Sequence, residues 1–87
     1  MNNVNVLNVN FTGLKFIAMS CGIQDVKKKG AALYATIFNR FDLDEWNALR
    51  NFLTYLLEHG YGYTIRQHYQ NIILIVQLEQ QATPVSH

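Results

Sequence analysis

Eighty-seven residues make one domain with one modest core, because a chain this short buries only about two thirds of its unfolded surface. Charged residues are 15% of the chain, below the ~25% usual for soluble domains, and a net charge of +1 offers no global field to steer nucleic acid or anionic lipid. A single cysteine, Cys21, excludes an internal disulfide framework.

Met1 to Asn10 lacks the basic start and continuous apolar stretch of a signal peptide. No apolar run approaches the ~20 residues of a membrane span, so a cytoplasmic location is expected. Asparagine and glutamine supply much of the polar surface, which hydrogen-bonds well but repels its neighbours weakly and favours association.

In chain order, Val4 to Phe11 alternates apolar with asparagine and slips phase between Val6 and Leu7. The spacing predicts a strand with a bulge there, or an extended arm. Leu14 to Ile23 reads as a strand, with Leu14, Phe16 and Ala18 on one face and Ile17, Met19 and Cys21 on the other. Lys27-Lys28-Lys29-Gly30 reads as a turn. Ala31 to Arg40 is the next strand, with Leu33, Ala35 and Ile37 opposed by Tyr34, Thr36 and Phe38. These last two strands form a hairpin around the lysine turn.

A helix follows. Asp42 and Glu45 have capping-box spacing, and Phe41 and Trp46 stand at the two positions of a hydrophobic staple. Asp44 and Glu45 complement the positive end of the helix dipole, and His59-Gly60 supplies the C-cap. Trp46, Leu49, Leu53, Leu56 and Leu57, widened by Phe52, form the expected core stripe. Asn47, Asn51, Thr54 and Glu58 lie toward water.

After Gly60 the period returns to two. Tyr61, Tyr63 and Ile65 share a face, and His68 to Asn71 links to the run Ile72-Ile73-Leu74-Ile75-Val76 as a hairpin. Ala82 to His87 reads as a flexible tail, which leaves 1–81 as a single domain. The expected fold is α+β: a small antiparallel or mixed sheet of four to five strands, one amphipathic helix on one face, in the order β-β-β-α-β-β.

The run from Ile72 to Val76 is apolar on both faces, whereas a half-exposed strand alternates. One helix covers one side. The other side calls for the N-terminal segment, a second copy or a different protein.

The chemistry-bearing residues are sparse. Cys21, in Ser20-Cys21-Gly22, has no histidine near it in sequence and reads as a packing residue. His59, His68 and His87 lack metal-ligand spacing. Helix capping accounts for Asp42, Asp44 and Glu45. No catalytic residue, metal or cofactor is expected.

The expected function is therefore non-enzymatic protein binding: the chain occupies a surface of a larger partner as an inhibitor or adaptor, and is itself a homo-oligomer. Tyr34, Phe38, Tyr61, Tyr63, Tyr69, Ile73 and Ile75 are the candidate contact residues, since tyrosine buries large area at small rotamer cost. In size and strand–helix–strand plan the chain is similar to small inhibitors carried by mobile genetic elements, a likeness of plan alone. The alternative is a single-stranded nucleic-acid binder that uses the Lys27, Lys28 and Lys29 loop for phosphate and the sheet tyrosines for stacking.

Overall fold

A computed structural model describes residues 3–79; the tail expected at 82–87 lies outside the described residues. The elements are helix α1 (Asn3–Cys21), strands β1 (Asp25–Lys29) and β2 (Ala32–Ile37), helix α2 (Leu43–Glu58), and strands β3 (Tyr63–His68) and β4 (Asn71–Gln77). The strands form one antiparallel sheet in the order β1-β2-β4-β3. The class is α+β, as expected. The element order is α-β-β-α-β-β, not β-β-β-α-β-β, and two helices rather than one stand among the described residues.

The first correction concerns Val4 to Ile23, expected as two strands and found mostly in α1. Leu7, Phe11, Leu14, Ala18 and Cys21 recur at three- and four-residue steps, and all five lie in or against the core. That stripe is helical. It is masked because the outer face is also apolar: Val9, Phe16 and Met19 are exposed. Thr12 and Ser20 turn their hydroxyls back onto the carbonyls of Asn8 and Phe16, at 3.0 and 2.8 Å, as such residues do inside helices.

α1 ends on a Schellman motif. The Ile23 amide donates to the Ala18 carbonyl and the Gly22 amide to the Met19 carbonyl, both at 3.0 Å, with Gly22 at φ +114°. The left-handed turn needs glycine there.

The second correction is the lysine turn. Lys27 to Lys29 are strand residues in β1, paired with Tyr34, Leu33 and Ala32; Gly30, at φ +60°, and Ala31 make the turn itself. The hairpin is thus β1–β2, shorter than expected and placed after α1.

α2 matches its sequence signals more closely. The Glu45 amide donates to Asp42 Oδ1 at 3.1 Å, the N-cap bond. Glu45 Oε1 reaches past the cap to accept from the Phe38 amide at 2.8 Å, so it ties the helix start to the end of β2. At the far end the Tyr61 amide donates to the Leu56 carbonyl across Gly60, which sits at φ +74°. The buried stripe is Ala48, Leu49, Phe52 and Leu56. Trp46 and Leu57, expected in the core, are 41% and 66% exposed.

Both helices lie on one face of the sheet. Leu14 and Ala18 of α1 share a single core with Ala48, Leu49, Phe52 and Leu56 of α2. Leu33, Ala35, Ile37, Ile72, Leu74 and Val76 complete it from the sheet. α1 backs onto β1, β2 and α2, while α2 backs onto β2; among the described residues no helix backbone closes on β3. Asn10 Nδ2 donates to the Leu78 carbonyl at 2.6 Å and pins α1 to the end of β4. α1 therefore thickens the covered face, and among the described residues the other face carries no helix.

Candidate functional site

Strand register decides which side chains share the open face, because alternate residues point to opposite sides. Leu33, Ala35 and Ile37 face the helices. Their neighbours Tyr34 and Thr36 therefore face away, with Ile73 and Ile75 of β4 paired to Thr36 and Tyr34. On the flanking strands Lys27 and Asp25 pair with Tyr34 and Thr36, while Thr64 and Arg66 pair with Ile75 and Ile73. Lys29 and His68 complete the same face by alternation.

The result is an apolar centre of Tyr34, Ile73 and Ile75 between Lys27 and Lys29 on one side and Arg66 and His68 on the other. Asp25 is the only acid the register places there. Lys29 Nζ lies 4.8 Å from the centroid of the Tyr34 ring, within cation–π range. Tyr34 and Ile73 stay half-buried and Ile75 is only 7% exposed. The centre is therefore partly sheltered by its own neighbours, although among the described residues no second layer covers it.

The remaining candidates are dispersed. Phe38 lies just past β2 and is 55% exposed. Tyr61 and Tyr63 are half-buried against the core on the helix side. Burial, followed by the proximity of Tyr55, pushes the Tyr61 phenol up from its ordinary value.

Tyr69 stands at the β3–β4 turn, 82% exposed, edge-on to the His68 ring at 4.7 Å. Its φ of +57° is uncommon for so bulky a residue. Lys28 points to the opposite side of the sheet from Lys27 and Lys29, and its Nζ donates to the Gly30 carbonyl at 3.0 Å. Two of the three lysines, not all three, share the open face.

Sequence reading did not connect Arg66 and His68 to this face. The signal was present: a two-residue turn at Tyr69-Gln70 fixes the pairing of β3 with β4, and that pairing fixes the parity of every residue in both.

Two concavities lie at the margins of the sheet. One, of about 500 Å³, is lined by Cys21, Gln24, Asp25, Phe38, Asp42 and Glu45 among others. Burial pushes the Cys21 thiol up, which lowers its thiolate fraction and hence its nucleophilicity. The Asp42 and Glu45 carboxylates there already accept backbone amides. Among the described residues no group of three histidines, cysteines or carboxylates is placed to hold a metal.

The second, of about 360 Å³, is lined by Arg40, Phe41, Leu43, Trp46, Gln67 and Ile72. The Arg40 guanidinium lies 4.4 Å from the Phe41 ring centroid. Among the described residues no helix is long and apolar enough to cross a membrane. No protein-family model matches the chain, and no curated protein matches it at a significant level.

Proposed function

We propose that the protein is a non-enzymatic binding module whose open sheet face docks on an acidic surface of a larger protein, in the manner of an inhibitor or adaptor. The uncovered sheet face supports this reading, with Tyr34, Ile73 and Ile75 at its centre and Lys27, Lys29 and Arg66 around it. An apolar centre inside a polar rim is the anatomy of a protein interface. A rim of one sign selects a partner of the other and speeds encounter. Tyr69 and His68, at the turn that ends this face, extend the contact area.

The test compares capture from a lysate of the native host by the wild-type chain and by a Lys27→Glu/Lys29→Glu/Arg66→Glu variant. Circular dichroism establishes that both are folded. The captured protein is then purified, and its affinity measured by calorimetry at low and high salt. Selective binding to the wild type that weakens with salt is expected; equal binding by both chains overturns the reading.

A second reading, single-stranded nucleic-acid binding, is favoured by one observation: cations flank Tyr34 on a face that neither described helix covers. Fluorescence anisotropy with a labelled single-stranded oligonucleotide tests it. Replacing Lys27, Lys29 and Arg66 by alanine should reduce the salt slope by about 2, at roughly 0.7 per phosphate contact. No binding at low salt removes it.

A further inference from the structure

The two edges of the sheet are unlike, and the difference selects a partner for one of them. The β1 edge carries Asp25 and three successive lysines, the charged dressing that keeps an edge strand from pairing. The β3 edge reads Tyr63-Thr64-Ile65-Arg66-Gln67-His68, rich in strand-forming residues, free of proline and bearing one formal charge. Its Ile65 points to the helix side, where neither described helix closes over it, and is 46% exposed.

The Gln77 amide donates to the Gly62 carbonyl at 2.9 Å, so Gly62 belongs to a hydrogen-bonded pair with β4. Such pairs alternate along an antiparallel ladder. Thr64, Arg66 and His68 therefore turn their backbone groups inward to β4, and Tyr63, Ile65 and Gln67 turn theirs outward.

We propose that the β3 edge pairs with the β3 edge of a second copy of this chain, about a two-fold axis at Ile65, to make a continuous eight-stranded sheet. Facing residues must share a side of the sheet, which restricts the register to even steps. Centring on Ile65 sets Ile65 against Ile65, Tyr63 against Gln67, and Thr64 against Arg66. Every outward backbone group of Tyr63, Ile65 and Gln67 then meets a partner, and no two like charges oppose each other. Centring one residue later sets Arg66 against Arg66, which is destabilising.

The favoured register also lays Tyr63 of the second copy beside Gln67. Gln67 lines the cleft formed with Phe41, Leu43, Trp46 and Ile72, in which the first three are exposed large apolar side chains and Ile72 is the buried floor. The solvent-exposed part of the half-buried Tyr63 and the cleft thus lie beside each other twice, as a two-fold interface requires. Ile65 lies on the opposite side of the sheet from Tyr34, Lys29 and Arg66, so this surface and the open face are separately testable.

The experiment measures molecular mass by analytical ultracentrifugation across micromolar concentrations, with circular dichroism to establish folding. The wild type is expected to dimerise. Ile65→Lys should raise the dimer dissociation constant by about 100-fold or more, because it opposes two ammonium groups across the axis. Val26→Lys, on the far edge, should leave it unchanged.

A Cys21→Ser background carrying Ile65→Cys should form a covalent dimer under mild oxidation, since facing Cα atoms of a hydrogen-bonded pair lie about 5.5 Å apart. The same background carrying Val26→Cys should not. A monomeric wild type, a dimer indifferent to Ile65→Lys, or cross-linking at Val26 rather than Ile65 overturns the proposal.

Discussion

Gly22, where α1 ends against α2, is the position at which the packing of the N-terminal helix is most directly tested. Its φ of +114° is one that a side chain rarely adopts, and holding alanine there costs about 1–3 kcal/mol. A Cβ at Gly22 would also lie 3.2 Å from the Cβ of Ala48, a buried residue of α2. Overpacking of that kind adds about 1–3 kcal/mol. Gly22→Ala should therefore destabilise the fold by about 2–6 kcal/mol, a large share of the roughly 5–15 kcal/mol typical of a domain.

Gly60→Ala separates the two causes. Gly60 is also left-handed, at φ +74°, but a Cβ there meets nothing within 4 Å, so only the backbone cost of about 1–2 kcal/mol remains. Urea unfolding followed by circular dichroism measures both, and adding Ala48→Gly to Gly22→Ala completes a double-mutant cycle. Removing the Ala48 methyl should recover about 1 kcal/mol or more relative to additivity. If Gly22→Ala is as mild as Gly60→Ala, or the cycle is additive, the packing of the α1 terminus on α2 is refuted.

Three further outcomes are expected. Phe52, 0% exposed in the shared core, should cost about 3–5 kcal/mol when replaced by alanine; an unfolding midpoint close to the wild type in the same assay would contradict that burial. Tyr69→Gly should stabilise the chain by about 1 kcal/mol by relieving the positive φ, while weakening partner capture if the exposed ring is used for docking; a loss of stability in thermal unfolding contradicts the strain. Folding stability should fall in strong alkali, because burial raises both the Cys21 thiol and the Tyr61 phenol. Below their ordinary values both groups are neutral in the folded and unfolded chains. Above those values the unfolded chain ionises first and gains. Urea midpoints at rising alkaline pH check this, and a Cys21→Ala/Tyr61→Phe variant should flatten the decline.

The readable parts of the sequence were those with one dominant signal. Asp42, Glu45 and Gly60 bracket α2 because capping is local and leaves its residues at fixed spacings. The Ile72 to Val76 run declared a strand with apolar faces on both sides, and β4 is the strand flanked by β2 and β3. α1 was hidden because two patterns overlie each other. Its core stripe from Leu7 to Cys21 has helical spacing, but Val9, Phe16 and Met19 fill the outer face, and valines with asparagines at the start are weak helix formers. Packing on the sheet and on α2 overrides that preference. Within the candidate face, Tyr34, Ile73 and Ile75 were legible as period-two neighbours. Arg66 joined them only through pairing across the β3–β4 turn, which a one-dimensional reading does not supply.

That pairing changes what the charge balance means. Seven basic against six acidic residues argued against attraction to any charged partner, but the argument holds only for an even distribution. Asp42, Asp44, Glu45 and Glu58 lie at or within α2, on the helical layer, whereas the register sets Lys27, Lys29 and Arg66 together on the opposite side of the sheet. At a separation near the Debye length of about 8 Å, salt screens the acids of one layer from a partner approaching the other. In the docking proposed above, a partner would meet the local sign of the open face, and the near-neutral total would not weaken its attraction in proportion. The same geometry leaves the two sheet edges with opposite tendencies: lysines deter pairing at β1, while β3 offers outward backbone groups, an exposed isoleucine and an adjoining apolar cleft.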